Sequence, residues 1–133
     1  MSRERIEREL ILLRAGSLEV EYLSGPPELV LYRAVPTSGA ALRLPAESDV
    51  IVPVPPGYPA SMIDLAGLPV GSPFLARVKG GTNSQGVVQA DGRQWQLASY
   101  HPHNNGGGPP WNPARHGFHT YLDQLIAWLD RLQ

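Results

Sequence analysis

The sequence predicts one α+β domain spanning residues 1–133, with an N-terminal helix, an antiparallel β-meander, a long irregular loop and a C-terminal helix. Apolar residues at helical spacing occur near both ends of the chain, and short apolar runs separated by turn residues fill the middle. The chain contains 14 glycines and 14 prolines, which favours many turns and short strands over a helical bundle. No internal repeat or domain boundary is visible.

The first element predicted is an amphipathic helix over residues 2–14. Ile6, Leu10 and Leu13 lie at i, i+4 and i+7, which places them on one helical face. Charged residues occupy the remaining positions, and Gly16 is a typical stop signal after a helix. We expect this helix to cover part of the sheet.

Alternating or continuous apolar runs predict the strands, which are 18–23, 29–35, 49–54, 74–78, 87–90 and 93–99. Asp91-Gly92 between the last two is a strong signal for a two-residue hairpin turn. Residues 55–73 are predicted to be loop-like, with a single turn around Ser61 to Leu65.

Residues 100–113 contain three consecutive glycines and several prolines, so we expect irregular structure there. Asn112-Pro113 suits a helix start, with asparagine as the N-cap and proline at the first helical position. A helical apolar stripe follows, made of Phe118, Leu122, Leu125, Ile126, Leu129 and Leu132.

The composition and charge of the chain argue against several classes of function. The formal net charge of −1 argues against nucleic-acid binding, and no apolar run is long enough to cross a bilayer. The first five residues alternate in charge without an apolar signal core, so we expect a cytoplasmic protein. The chain has no cysteine, which excludes disulfides, thiolate metal ligands and thiol nucleophiles. We expect no cofactor.

Three local patterns occur in one order: Pro55-Pro56-Gly57-Tyr58-Pro59 after a strand, Tyr100-His101-Pro102-His103-Asn104 after another strand, and Trp111-Asn112-Pro113-Ala114 before the last helix. Together they resemble the ubiquitin-conjugating enzyme (UBC-like) family, with its Tyr-Pro turn, His-Pro-Asn motif and Trp-x-Pro-Ala step. The chain looks most like bacterial members of that family, including those without cysteine. The resemblance covers nearly the whole chain and implies the UBC-like fold.

The resemblance also implies a loop like the family's active site. Its residues here are Tyr58, Pro59, His101, Pro102, His103, Asn104, Asn105 and Trp111. Two departures affect it. His103 stands where the family has the asparagine of its His-Pro-Asn motif. Only residues 104–110 separate this motif from Trp111, and that segment holds no cysteine, serine or threonine.

The leading hypothesis is therefore a UBC-like protein without thiol activity, which binds a ubiquitin-like protein, an activating-enzyme-like protein or both. It predicts that the chain is not an active conjugating enzyme and that it binds neither nucleic acid nor membrane. In the resembling family the N-terminal helix helps to dock the activating enzyme. Arg3, Arg5 and Arg8 are compatible with such docking and equally typical of a solvated helix face.

Two alternatives stay open. Ser99, with His101 or His103, is a candidate acyl acceptor in a non-thiol enzyme, although no acidic residue that would orient the pair is evident. His101, His103, His116 and His119 lie within 19 residues and are candidate metal ligands. These histidines could form a metal-binding module or the site of a metal-dependent hydrolase. No glutamate is adjacent to them to act as the general base, which argues against the hydrolase. The Gly106–Gly108 stretch is interpreted as a flexible loop and a candidate binding surface.

Overall fold

A computed structural model describes residues 2–24, 28–37, 44–63, 65–75, 86–99 and 111–131. Within them lie two helices and one antiparallel sheet of six strands, in the order β1-β2-β3-β4-β6-β5. The elements are α1 (Ser2–Ala15), β1 (Val20–Leu23), β2 (Leu29–Pro36), β3 (Glu47–Pro53), β4 (Leu65–Pro69), β5 (Val87–Ala90), β6 (Arg93–Ser99) and α2 (Phe118–Arg131). The predicted α+β class is confirmed.

Helix α1 buries the face that its spacing predicts, since Ile6, Leu10 and Leu13 are all inside the core. It ends where expected. The amide of Gly16 donates to the carbonyl of Leu13, and Ser17 follows in the left-handed region with φ 70°. The helix packs beside α2 and β1, and therefore covers one part of the sheet.

Two strand predictions were wrong. The predicted loop over residues 55–73 contains β4, and Phe74 lies in a turn instead of opening a strand. The β4 sequence, Leu-Ala-Gly-Leu-Pro, has little intrinsic strand preference. It is held by ladders to β3 and β6, so pairing partners distant in sequence override the local signal.

The start of the C-terminal helix was also predicted wrongly, because α2 begins at Phe118 and not at Pro113. The Asn112 side chain does accept a hydrogen bond from the Ala114 amide at 3.0 Å, as a cap would. The carbonyl of Asn112 then accepts the amide of His116, which completes a separate turn before the helix. The apolar stripe is confirmed for Phe118, Leu125 and Leu129, which are buried.

The sheet carries apolar residues on both faces. Val30 and Tyr32 of β2 face the helices, whereas Leu29 and Leu31 of the same strand face the opposite side. The cluster on that opposite side consists of Leu29, Leu31, Ile51, Trp95 and Leu97, all buried. We call it the outer cluster.

The sheet curls toward the outer cluster. Arg33 on β2 forms an ion pair with Asp91 in the β5–β6 turn at 3.1 Å, although three sheet positions separate β2 from β6. Arg93 on β6 likewise pairs with Asp49 on β3 at 2.7 Å. Flat strands about 4.8 Å apart could not bring Arg33 and Asp91 together in this way, so the hairpin bends back over the outer face.

Candidate functional site

The centre of the site is the turn at Tyr58–Pro59, whose peptide bond is cis. The amide of Tyr58 donates to the carbonyl of Pro55, and the amide of Ala60 donates to the carbonyl of Gly57. Gly57 supplies the positive φ of 78° that this tight turn requires. The Tyr58 ring is buried and packs against Phe118 at 5.0 Å between centroids. The turn is thereby fixed to the start of α2.

Glu9 is the hub of the site. The residue is only 4% exposed, which is rare for a carboxylate. Its Oε1 accepts hydrogen bonds from the Tyr58 hydroxyl at 2.6 Å and from the Phe118 amide at 3.0 Å. Its Oε2 accepts one from Arg5 Nε at 2.7 Å. One carboxylate therefore joins α1, the Tyr58–Pro59 turn and the first residue of α2.

This arrangement also caps α2 from outside. The first turn of α2 contains no acidic residue of its own, and the Glu9 carboxylate lies against its N-terminus, where negative charge is stabilised. Gly117 makes room for it, because a Cβ at that position would lie 2.6 Å from the Glu9 carboxyl carbon. Arg5 Nη2 donates to the carbonyl of His116 at 2.6 Å, which fixes the approach to the helix as well.

Trp111 connects the turn to the segment that enters α2. Its indole Nε1 donates to the carbonyl of Pro59 at 2.9 Å, and its ring lies 6.3 Å from that of Tyr58. His116 packs on the other side of Trp111, and its Nδ1 accepts the amide of Asn112 at 2.9 Å. Tyr58, Pro59 and Trp111, which the sequence placed in the site, are therefore adjacent in the structure.

The electrostatics of Tyr58 are set mainly by burial. Removal from water raises the pKa of its hydroxyl well above the ordinary value, and the hydrogen bond to Glu9 raises that pKa further. Tyr32 is deeply buried, and desolvation raises the pKa of its hydroxyl too; it donates to the carbonyl of Phe118 at 2.6 Å. Both phenols stay protonated, so they act as structural donors and not as proton acceptors.

The other predicted site residues fall partly outside the described chain. His101, Pro102, His103, Asn104, Asn105 and the Gly106–Gly108 stretch are not among the described residues. Ser99 ends β6 opposite Leu65, and its side chain is likewise not described. The acyl-acceptor role suggested for Ser99 with His101 or His103 stays a prediction.

Of the four candidate metal ligands, the structure describes His116 and His119, so the four-histidine site stays a prediction. His116 precedes the first residue of α2, and its Nδ1 accepts the amide of Asn112. His119 Nδ1 lies 3.8 Å from Glu9 Oε2. Among the described residues, no group of three or more histidine or carboxylate side chains could hold a metal ion.

The sequence interpretation missed the role of Glu9, although a signal was present. Residues 6, 9, 10 and 13 form one helical face, so an acidic residue at position 9 interrupts the apolar stripe. A charge in that position either disrupts the core or meets partners there. Arg5, which we considered for docking, is instead used internally by Glu9 and His116.

The outer face of α1 carries two large apolar side chains in contact with water. Ile11 is 59% exposed and Leu12 is 60% exposed. Arg8 is exposed beside them, and it makes no ion pair or hydrogen bond within the described residues. Leu12, Arg8 and His119 line a shallow groove between α1 and the start of α2. We call Arg8, Ile11 and Leu12 the α1 face. No helix in the described part of the chain is long and apolar enough to cross a membrane.

Comparison with known proteins gives one result. The sequence profile of the family described as prokaryotic E2 family E matches residues 9–132. This match includes Glu9, the Tyr58–Pro59 turn, Trp111 and all of α2. Searches of curated proteins and of solved structures gave no match.

Proposed function

Because the chain belongs to prokaryotic E2 family E, we propose that it works in a bacterial ubiquitin-like conjugation pathway as a binding component without thiol chemistry. The observation that carries this proposal is an ordered site scaffold in a chain that contains no cysteine. A thioester carrier of the usual kind needs a cysteine thiolate, and none is available here. The scaffold therefore offers a defined surface around Tyr58 without a thiol.

Several hydrogen bonds hold the scaffold around Tyr58. Three donors converge on the buried Glu9 carboxylate, and Trp111 donates to the carbonyl of Pro59. Both oxygens of the Glu9 carboxylate accept hydrogen bonds, and buried bonds of this kind favour one arrangement of the chain. The geometry around Tyr58 is therefore maintained, which supports a role in recognition.

The α1 face is the docking surface that we propose. Two adjacent apolar side chains more than half exposed, beside an arginine without a described partner, form a small hydrophobic patch with a positive rim. A partner surface with apolar side chains and a carboxylate would complement it. In the family that the sequence resembles, this helix contributes to docking the activating enzyme. The proposed partners are accordingly an activating-enzyme-like protein, a ubiquitin-like protein or both.

The test is calorimetric titration of this chain with ubiquitin-like and activating-enzyme-like proteins from the same organism. We expect one of them to bind, and we expect Leu12→Asp to weaken binding at least tenfold by placing a charge in the apolar patch. The matched control is Val70→Asp, because Val70 is similarly exposed at 53% but lies just after β4, away from α1.

The expected control result is unchanged affinity. Absence of binding to every such protein would remove the proposed function. Equal loss of affinity in the Leu12 and Val70 variants would show that the α1 face is not the docking surface.

A further inference from the structure

We propose that β5 is an association edge, which pairs in antiparallel fashion with β5 of a second copy of this chain. This inference concerns a surface separate from the α1 face and does not depend on the proposed function. β5 is the terminal strand of the sheet, and β6 is its only partner among the described strands. The other terminal strand, β1, is packed by α1 and carries Glu21, which is ion-paired with Arg33.

The alternation of hydrogen-bonded and non-hydrogen-bonded pairs between β5 and β6 identifies the backbone N–H and C=O groups of β5 that point away from β6. The amide of Leu97 donates to the carbonyl of Gly86, so Gly86–Leu97 is a hydrogen-bonded pair. In an antiparallel ladder such pairs alternate with pairs that are not hydrogen-bonded. Val88 and Ala90 therefore direct their N–H and C=O groups toward β6. Val87 and Gln89 direct theirs away from the sheet, where an added strand can bond to them.

Soluble proteins protect exposed edges with very short strands, charged side chains, prolines, bulges or a covering element. Among the described residues, β5 has the first of these, a length of four residues, and lacks the others. β5 reads Val-Val-Gln-Ala, without charge or proline, and its register with β6 is regular. Val87 is 51% exposed. The strand therefore offers an open and neutral template.

The same alternation allows the β5 strands of two copies to pair symmetrically. With a two-fold axis through Val88, Val87 of each copy lies opposite Gln89 of the other, and both are the outward-directed residues. Each such pair can exchange two hydrogen bonds. Val88 then meets Val88 of the second copy across the axis, on the face of the outer cluster that it already packs against. No like charges meet within the strand, and each copy carries a formal net charge of only −1.

The hairpin is held in position before any partner arrives. Arg33 forms an ion pair with Asp91 in the β5–β6 turn, and Arg93 forms an ion pair with Asp49 on β3. The edge is therefore presented without an ordering cost. It is also short, since four residues extend for only about 14 Å. A stable dimer buries roughly 800 Å² per partner, so this pairing gives a weak dimer with a Kd on the order of 0.1 mM.

The experiment is sedimentation equilibrium of the full chain from about 10 μM to about 1 mM, a range that spans the expected Kd. We expect reversible dimerisation. Amide exchange followed by NMR then locates the interface. The amides of Val87 and Gln89 should gain protection as concentration rises, whereas those of Val88 and Ala90 should be protected at every concentration.

Val87→Lys should abolish the dimer by placing a charge on the edge. Val70→Lys is the matched control, since Val70 is equally exposed but lies on the other side of β6. Gln89→Pro is a second variant, because it removes an outward N–H without breaking a bond to β6; circular dichroism confirms that each variant is folded. A monomer at about 1 mM overturns the proposal, as does a dimer that survives both edge variants or is lost in Val70→Lys.

Discussion

The hydroxyl of Tyr58 lies 2.6 Å from Oε1 of Glu9, across 49 positions of sequence. This bond ties the turn at the centre of the site to the helix that carries the α1 face. The Phe118 amide, on the same carboxylate oxygen, adds α2 to the connection. Any partner that contacts the α1 face therefore binds a helix whose inner side is part of the site.

Replacing Glu9 should destabilise the whole domain. Glu9→Gln keeps one carbonyl oxygen for Tyr58 and Phe118 but turns an amide toward Arg5 Nε, so a buried donor loses its acceptor. We expect a loss of about 1–3 kcal/mol in the free energy of unfolding, measured with urea. Glu4→Gln, on the exposed side of α1, should change stability by less than about 0.5 kcal/mol.

A double-mutant cycle between Glu9→Ala and Tyr58→Phe measures their interaction, because alanine removes the acceptor oxygen that glutamine would keep. Tyr58→Phe removes one donor and should cost roughly 1 kcal/mol. Because the two side chains share a hydrogen bond, the double variant should deviate from the sum of the single effects by at least about 0.5 kcal/mol. Strict additivity would contradict the role of Glu9 as the hub.

Gly117→Ala should be destabilising although this glycine is not held at a positive φ. The new Cβ would lie 2.6 Å from the Glu9 carboxyl carbon and would push the carboxylate away from its donors. We expect a loss of about 1–3 kcal/mol in thermal or urea unfolding. Gly16→Ala is the control, because a Cβ there meets only the Leu13 carbonyl at 3.5 Å. Similar effects at both glycines would show that the space beside Glu9 is not limiting.

Gly67→Ala should disturb the curl of the sheet. A Cβ on this β4 residue would lie 2.7 Å from Ile51 Cγ2 and 2.9 Å from Leu97 Cδ2, both in the outer cluster. Overpacking of this kind typically costs about 1–3 kcal/mol. The near-ultraviolet circular dichroism of Trp95 should also change, since its indole packs in the same cluster. An unchanged spectrum with unchanged stability would argue against close packing there.

The ion pair between Arg33 and Asp91 predicts a small acid-sensitive contribution to stability. The Arg33 guanidinium hydrogen-bonds the Asp91 carboxylate and lowers the pKa of that carboxyl below its ordinary value. A carboxyl whose pKa is depressed on folding stabilises the folded state above the pKa it has when unfolded, and that contribution disappears as pH falls through the folded pKa. The pair is exposed, so its contribution is at most about 1 kcal/mol.

Asp91→Asn tests this contribution. Asparagine tolerates the positive φ of 54° found at this turn position, so the backbone is preserved. The variant should be slightly less stable than the wild type at pH 7, and the difference should shrink as pH falls below the ordinary aspartate pKa of about 3.9. Urea unfolding at pH 7 and at acidic pH measures it. A difference that grows on acidification would reverse the sign and refute the assignment.

The sequence correctly predicted the elements whose formation depends on residues close together in the chain. The apolar face of α1 follows from spacing alone, and the β5–β6 hairpin follows from Asp91-Gly92, which adopt the positive φ values of 54° and 70° that such a turn requires. β4 was missed because Leu65–Pro69 has weak strand preference and is stabilised only by its neighbours in the sheet.

Only part of the site was predicted, because the sequence shows local motifs but not the contacts between residues that are distant along the chain. The Tyr58–Pro59 turn and Trp111 stand out as motifs and meet in the structure. Glu9 lies 49 residues before Tyr58 and 109 residues before Phe118, and its partners become evident only after the chain has folded. The helix start at Phe118 depends on this same carboxylate, so a local cap at Asn112 could not locate it.

We propose that this chain binds within a ubiquitin-like pathway and carries no acyl group itself. The direct measurement is mass spectrometry of one sample containing the chain, activating-enzyme-like and ubiquitin-like proteins from the same organism, and ATP, recorded under native and then denaturing conditions. We predict a complex in the native spectrum and an unmodified mass for this chain after denaturation. A hydroxylamine-sensitive adduct on the denatured chain, or no complex in the native spectrum, would contradict the claim.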